Sequence, residues 1–221
     1  MRALSLLSGG IDSSTVTTIA AEKHGPENVL AVTFDYGQTL RSELEAARKV
    51  ADFLGVRHRV VHIASAFTHI QSALLEASGI DLPHVEHDGT LPPTNVPFRN
   101  GIFLSVLAGM AMSIGASAIY YGAHADDHEV GGYPDTTPEF TGAMTAAIGA
   151  GTGGAVRLFA PLQGLSRPEV VLRGSQLNVP YWLTWSCYDR GEKHCGDCAS
   201  CRERKRTFRV AGIEDPTSYM R

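Results

Sequence analysis

The chain has no cysteine before residue 187, no excess of basic charge, and no apolar run near the roughly 20 residues that cross a bilayer. Each absence excludes a class of protein. Cysteines confined to 187–201 are not the dispersed staples of a secreted disulfide scaffold. A net charge of −4 removes the electrostatic case for bulk nucleic-acid binding, so no direct nucleic-acid partner is expected. The opening MRALSLLSGG is too short and too glycine-rich for a signal peptide, and a soluble, cytoplasmic protein with no membrane association is expected. Internal repeats and low-complexity linkers are also missing. What remains, 221 residues of which 43% are hydrophobic, suits one α/β domain with a sizeable core and a small C-terminal extension.

Apolar runs and helical periodicities alternate along that domain. Strands are predicted at 3–7, 29–34 and 56–63, with helices at 13–24 and 42–54 between them; Gly25 and Gly55 stand at the helix ends. This β-α-β-α-β order argues for a parallel sheet with helices on both faces. Residues 64–99, with prolines at 83, 92, 93 and 97, read as a long loop of the kind that is usually functional. A helix over 100–116, apolar nearly all round, is expected to be buried. Further strands are expected at 119–122 and 156–162. A helix from Thr137 should place Phe140, Met144 and Ile148 on one face, and Ser166-Arg-Pro-Glu169 has the form of a capping box.

Two stretches carry chemistry. Ser8-Gly9-Gly10-Ile11-Asp12-Ser13 lies between a strand and a helix, where glycines let the backbone approach a ligand and the helix N-terminus favours an oxyanion. It has neither the Lys-Ser/Thr pair of the P-loop nor the third spaced glycine of the dinucleotide fingerprint. Asp12 would repel a bare phosphate but suits Mg²⁺ bridging phosphates. An ordinary glycine turn with a serine cap explains the same residues. Far downstream, Cys187, Cys195, Cys198 and Cys201 have the spacing C-x7-C-x2-C-x2-C, which favours a closed, tetrahedral, structural Zn²⁺ site. The following basic run, with Arg202, Arg204, Lys205 and Arg206, reads as a solvated helix face or as a charge clamp.

Ser8-Gly-Gly-Ile-Asp-Ser-Ser14 resembles the SGGxDS loop of the PP-loop ATP pyrophosphatases, the superfamily of N-type amidotransferases and tRNA-thiolating enzymes. Segments 31–38 (AVTFDYGQ), 96–100 (VPFRN), 122–128 (GAHADDH), 133–135 (YPD), 185–188 (WSCY) and 195–202 (CGDCASCR) are similar, in order, to those of the 7-cyano-7-deazaguanine synthase family of queuosine biosynthesis. The resemblance spans essentially the whole chain. It implies a doubly wound parallel sheet of the adenine nucleotide alpha hydrolase type over residues 1–184, and a C-terminal zinc-binding segment over 185–221 packed on it. It implies a ligase that cleaves ATP between the α- and β-phosphates, uses ammonia and 7-carboxy-7-deazaguanine, and passes through an adenylate, an amide and a second adenylate to the nitrile. ATP, Mg²⁺ and Zn²⁺ are the implied cofactors, and a homodimer the implied assembly.

The same resemblance implies the site residues. The nucleotide falls to Leu7, Ser8, Gly9, Gly10, Ile11, Asp12, Ser13, Ser14, Thr15, Val16 and Thr17, with Asp35 after the second strand. Ser8, Asp12, Ser13, Arg99 and Arg167 are expected to be catalytic. The substrate falls to Arg99, Asn100, His124, Asp127, Tyr133 and Asp135. Simpler roles compete: a turn for Asp35, a helix cap for Asn100, a polar loop for His124 and His128. Thr136 and Thr137 stand where the family commonly has Cys and Arg, Arg167 where it has Lys, and Gln38-Thr-Leu40 where it has Gln-Arg-His. Three other functions fit parts of the pattern: a related ligase that uses another carboxylate or stops at the amide, a PP-loop tRNA-modifying enzyme, and a zinc-ribbon nucleic-acid module.

Overall fold

A computed structural model describes residues 1–80, 92–130, 132–189 and 191–220. The apolar runs pair into one five-stranded parallel sheet. Its strands are β1 Ala3–Leu6, β2 Val29–Asp35, β3 Arg57–His62, β4 Ala118–Tyr120 and β5 Arg157–Phe159. They lie in the order β3-β2-β1-β4-β5. Central β1 aligns Ala3 with Val29 on one side and with Ala118 on the other. The order reverses between β1 and β4, which makes the sheet doubly wound and puts a ligand crevice at the carboxyl ends of those two strands.

Among the described residues seven α-helices accompany the sheet: α1 Ile11–His24, α2 Ser42–Leu54, α3 Arg99–Ile114, α4 Ala125–Glu129, α5 Pro138–Gly151, α6 Arg167–Gln176 and α7 Ala199–Ala211. Because side chains alternate across a strand, Ala3 and Ala31 bury on one face while Leu4 and Leu30 bury on the other. The first face packs on Val16 and Ala20 of α1, Val50 of α2, Val170 of α6 and Phe208 of α7. The second packs on Phe103, Leu104 and Leu107 of α3 and Ile148 of α5. Burying one such side chain stabilises the fold by about 1.5–3 kcal/mol. Among the described residues no helix is long and apolar enough to cross a membrane.

Several expectations are corrected. α1 begins at Ile11, because extended Gly10 is its N-cap and the Ser13 hydroxyl instead accepts the Ser8 backbone N–H at 3.1 Å. Residues 125–129 form a short helix rather than a loop, begun by a capping box between His124 and Asp127. The strands at 57–62 and 157–159 are shorter than their apolar runs. α3 is not buried all round: Phe103, Leu104, Leu107 and Ala111 face the core while Met112 is 50% exposed. Arg204 is neither a solvated residue nor a clamp on the surface. It is buried within the fold, ion-paired to Asp215 at 3.2 Å and donating to Thr184 Oγ1 at 2.8 Å and to the Tyr181 carbonyl at 2.9 Å. Of the expected loop over 64–99, residues 81–91 lie outside the described residues; the rest contains short helical turns at Ala64–Phe67 and Glu76–Ser78.

Candidate functional site

Between β1 and α1 the chain turns through Leu7, Ser8, Gly9 and Gly10 at the reversal point of the sheet. The Leu7 N–H donates to Val32 at 2.9 Å, continuing the strand into the turn. Gly9 has φ +87°, and a Cβ there would stand 2.5 Å from the Glu43 carbonyl oxygen and 2.7 Å from the Ala47 nitrogen, so only glycine lets the turn sit on α2. From the other side a Cβ on Gly122, just after β4, would come within 3.1–3.2 Å of the Asp12 and Ser13 backbone. The Gly9 carbonyl accepts the Trp185 N–H at 2.8 Å. No side chain caps α1, so its first-turn N–H groups face the crevice as an anion cradle. Ser8 is exposed at the mouth, and its hydroxyl lies 3.0 Å from that of Ser13.

α1 is held along its length by its own hydroxyls. Ser14, Thr15, Val16 and Thr17 are fully buried. Thr15 bonds the Ile11 carbonyl and the Tyr181 hydroxyl, at 2.8 and 2.9 Å, and Thr17 bonds Ser13 and the Ser5 hydroxyl, both at 2.8 Å. Satisfied in this way, Thr15 and Thr17 occupy a buried helix without the usual desolvation cost, whereas the buried Ser14 hydroxyl has no partner among the described residues.

Beside the cradle, four expected site residues meet. Fully buried His124 presents Nε2 to Asp127 Oδ1 at 3.2 Å, to Asp12 Oδ1 at 3.6 Å and to the Arg167 Nε at 3.3 Å. Arg167 adds Asp127 Oδ1 at 3.4 Å, and its backbone N–H donates to Asp126 at 2.9 Å. Burial opposes every charge here. The two carboxylates nonetheless raise the His124 pKa, and despite burial His124 and Arg167 hold Asp12 below the ordinary carboxylate value. Asp127 goes the other way: burial raises it.

A second group stands at the carboxyl ends of the neighbouring strands. Arg99, the first residue of α3, donates to the Tyr36 hydroxyl at 3.0 Å. Burial raises the Tyr36 pKa, and burial also lifts Glu43, in the first turn of α2, to about 7 against the opposing charge of Arg99. Tyr188 is driven up to about 12, first by burial and then by Tyr133 and Glu43, with Arg167 pulling it down, so it feels both groups. Asn100 and Asp135 bind each other: the Asn100 N–H donates to Asp135 Oδ2 at 2.8 Å and its side-chain amide to the Asp135 carbonyl at 3.0 Å. The Tyr133 hydroxyl lies 3.3 Å from that of Thr94. Asp35 is set apart, joined to His62 at 3.1 Å and Arg41 at 3.4 Å and accepting the Gly37 N–H at 3.4 Å in a turn. Thr137 caps α5 by accepting the Phe140 N–H at 3.1 Å, and Thr136 donates to the Tyr133 carbonyl at 2.8 Å.

The four cysteine sulfurs lie within 4.8 Å of one another, with Cys187–Cys198 and Cys195–Cys201 each at 3.9 Å. A tetrahedron of thiolates around Zn²⁺, with bonds near 2.3 Å, has edges of about 3.8 Å. Backbone N–H groups of Asp189 and Cys195 point at the Cys187 sulfur, at 3.2 and 3.3 Å, as they do where thiolates are stabilised. The donor set therefore fits a closed structural metal site, and the cluster can hold a metal ion.

The model of the queuosine biosynthesis protein QueC family matches residues 2–212. The chain belongs to this family. Curated relatives named 7-cyano-7-deazaguanine synthase include one from Thermoplasma acidophilum, 42% identical over 225 residues, covering 99% of this chain and 92% of the relative. Another, from Caldicellulosiruptor bescii, is 39% identical over 220 residues, covering 99% and 97%. The NH3-dependent NAD synthetase of Campylobacter jejuni shares the fold at TM-score 0.52 and 20% identity, over 81% of this chain and 65% of that one. Sequence reasoning missed Tyr36, Glu43 and Tyr188. Glu43 lies in the first turn of α2, and only tertiary packing brings its main-chain carbonyl against Gly9.

Proposed function

We propose that the protein is an ATP-dependent carbon–nitrogen ligase that converts 7-carboxy-7-deazaguanine and ammonia to 7-cyano-7-deazaguanine. The observation that carries this reading is the lysine-free cradle at the sheet's reversal point, with Asp12, His124, Asp127 and Arg167 gathered beside it in a chain of this family. A cradle of backbone N–H groups suits pyrophosphate as the departing group. The substrate carboxylate attacks the α-phosphorus of ATP and pyrophosphate leaves. Ammonia then attacks the acyl carbon and AMP leaves with the carbon–oxygen electron pair. The amide oxygen attacks the α-phosphorus of a second ATP and a second pyrophosphate leaves; the nitrogen then gives up both of its protons, the second as AMP departs with the carbon–oxygen pair, which closes the nitrile.

Ser8, Gly9, Gly10, Ile11 and Ser13 bind the phosphates, with Leu7 and the segment Ser14 to Thr17 holding that turn in place. Asp12 Oδ1 is buried and has no hydrogen-bond partner among the described residues, which fits an oxygen kept for a hard cation. Mg²⁺ bound there would neutralise triphosphate charge. Arg167 and protonated His124 stabilise negative charge as pyrophosphate separates. Arg99 and Tyr133 receive the substrate, with Asn100 and Asp135 as the brace that orients Arg99, and Asp127 fixes His124. Asp35 contributes at the nucleotide's outer edge. Residues 185–221 form a Zn²⁺-held segment packed on the 1–184 domain. The exposed apolar faces of α3 and α5 support a homodimer.

The reading is tested by incubating the protein with ATP, Mg²⁺, ammonium and 7-carboxy-7-deazaguanine and following AMP, pyrophosphate and the deazaguanine by mass. Production of ADP alone would sink adenylation, and product halting at the amide would sink nitrile formation. Asp12→Asn should abolish AMP release while bound zinc stays at wild-type content.

A further inference from the structure

Thr136 and Thr137 stand where the family commonly has Cys and Arg, and here both close the turn over 133–137. Thr136 donates to the Tyr133 carbonyl at 2.8 Å, and Thr137 donates to the Pro134 carbonyl at 3.2 Å while capping α5. This turn carries Tyr133 and Asp135, and Asp135 accepts from Asn100, the neighbour of Arg99. Asn100 grips the turn from α3. A second side chain, Gln163, grips it from the loop between β5 and α6, its Nε2 donating to the Thr136 carbonyl at 2.7 Å.

The orientation of that amide follows from its partners. A carbonyl only accepts, so the Gln163 nitrogen faces Thr136 and its oxygen faces Thr141, whose hydroxyl donates to it at 2.6 Å. The one proton of Thr141 is then used, so the Tyr121 hydroxyl that meets it is the donor. Tyr121, Thr141, Gln163 and Thr136 thus form a chain of hydrogen bonds running one way, from a tyrosine 1% exposed just after β4 to the turn. Such a chain holds its members in one arrangement because breaking any link leaves polar groups unpaired. The loop that bears Gln163 is itself fixed. Its Gln163 and Leu165 N–H groups donate to Ala160 and Leu162 at 3.1 and 2.9 Å, and Leu162 is fully buried.

We propose that Gln163 is a positioning residue for the acid-binding half of the site: through the Thr136 carbonyl it sets the 133–137 turn, and with it Tyr133 and the Asp135–Asn100 brace of Arg99. This inference rests on the ligase reading above. The phosphate cradle is built separately, from Gly9 on α2 and Gly122 against Asp12. The loop's tie to α4 is a backbone bond, from the Ala125 N–H to the Leu165 carbonyl at 2.8 Å, which needs no side chain. Loss of the Gln163 amide therefore displaces the groups that meet the acid and leaves those that meet the nucleotide.

The test measures acid-dependent exchange of pyrophosphate into ATP, titrating 7-carboxy-7-deazaguanine and ATP separately. Gln163→Met keeps the length of the side chain and removes both polar ends. Gln163→Glu keeps the acceptor for Thr141 but sets an oxygen against the Thr136 carbonyl. In both, KM for the acid should rise on the order of tenfold, with KM for ATP and kcat within about threefold of the original. Thr141→Val should raise KM for the acid in the same way, and Thr141→Ser, which retains the hydroxyl, should not. An acid KM unchanged within about twofold, or an equal rise in KM for ATP, would overturn the positioning role. Should the Gln163 variants misfold, the contrast between Thr141→Val and Thr141→Ser decides alone, and equal acid KM values in the two would overturn it. If the unaltered protein exchanges no pyrophosphate in the presence of the acid, the ligase reading itself falls.

Discussion

At Arg204 a cation lies almost wholly inside the protein, its side chain 1% exposed, and donates to Asp215, Thr184, Ser186 and the Tyr181 carbonyl. Burial raises the Asp215 carboxyl, but the guanidinium outweighs it and leaves the pKa below its ordinary value. Removing one member of such a pair leaves the other charge buried and unpaired. Arg204→Ala is therefore expected to destabilise the protein by about 3–5 kcal/mol, measured by urea denaturation at pH 7. A loss under about 1 kcal/mol would mean that the residue is solvated after all. Nothing in the local pattern distinguishes Arg204 from its neighbours Arg202 and Arg206, which are partly exposed. Its role depends on Thr184 and Asp215, which only the fold brings near. His124 was legible for the opposite reason: its acidic neighbours in sequence are also its neighbours in space.

Among the elements, α2 on the first face of the sheet follows its hydrophobic periodicity, burying Ala47, Val50 and Ala51, while α1 buries serines and threonines instead; the capping box at Ser166 forms as its residues suggest, with Glu169 accepting the Ser166 N–H at 2.7 Å. α3 and α5 were legible as helices but not as surfaces. Gly109, Met112, Ala143, Ala146 and Ala147 are exposed, although an apolar composition of this kind reads as buried. Periodicity cannot tell burial by this chain from burial by another copy. If a second copy covers this face, Met112→Asp should shift the protein from dimer to monomer in light scattering while its far-ultraviolet circular dichroism stays unchanged. A wild-type monomer would remove the assembly altogether.

For the molecule as a whole, the linking contact is the Trp185 N–H on the Gly9 carbonyl, two residues before the first cysteine of the cluster. It joins the metal segment to the cradle directly. The His194 ring, whose Nε2 accepts the Ser186 N–H at 3.0 Å, and Arg204 brace the same segment from behind. Stripping the metal with a chelator should therefore lower Tm by on the order of 10 °C, at about 2–4 °C per kcal/mol for a chain this long. It should also abolish pyrophosphate exchange, although no cysteine touches the cradle, and both effects should reverse on adding Zn²⁺. Exchange that continues at its full rate in metal-free protein would mean that the two loops are independent. Motif spacing made both loops legible, but their junction at Gly9 was not, because a backbone hydrogen bond leaves no mark on residue type.

The buried hydroxyls of α1 bear on how a ligand would be met. With Thr15 fastened to Tyr181 and Thr17 to Ser5, and with Gly9 wedged on α2 and Gly122 against Asp12, the cradle is complete before anything occupies it. Ordering a loop ordinarily costs an incoming ligand part of its affinity, about 0.5–1.5 kcal/mol for each side chain immobilised. Here that entropy is lost once, when the chain folds. The phosphates of a nucleotide would find rigid walls on their side of the crevice, and any adjustment in shape on binding would be left to the residues that face the acid.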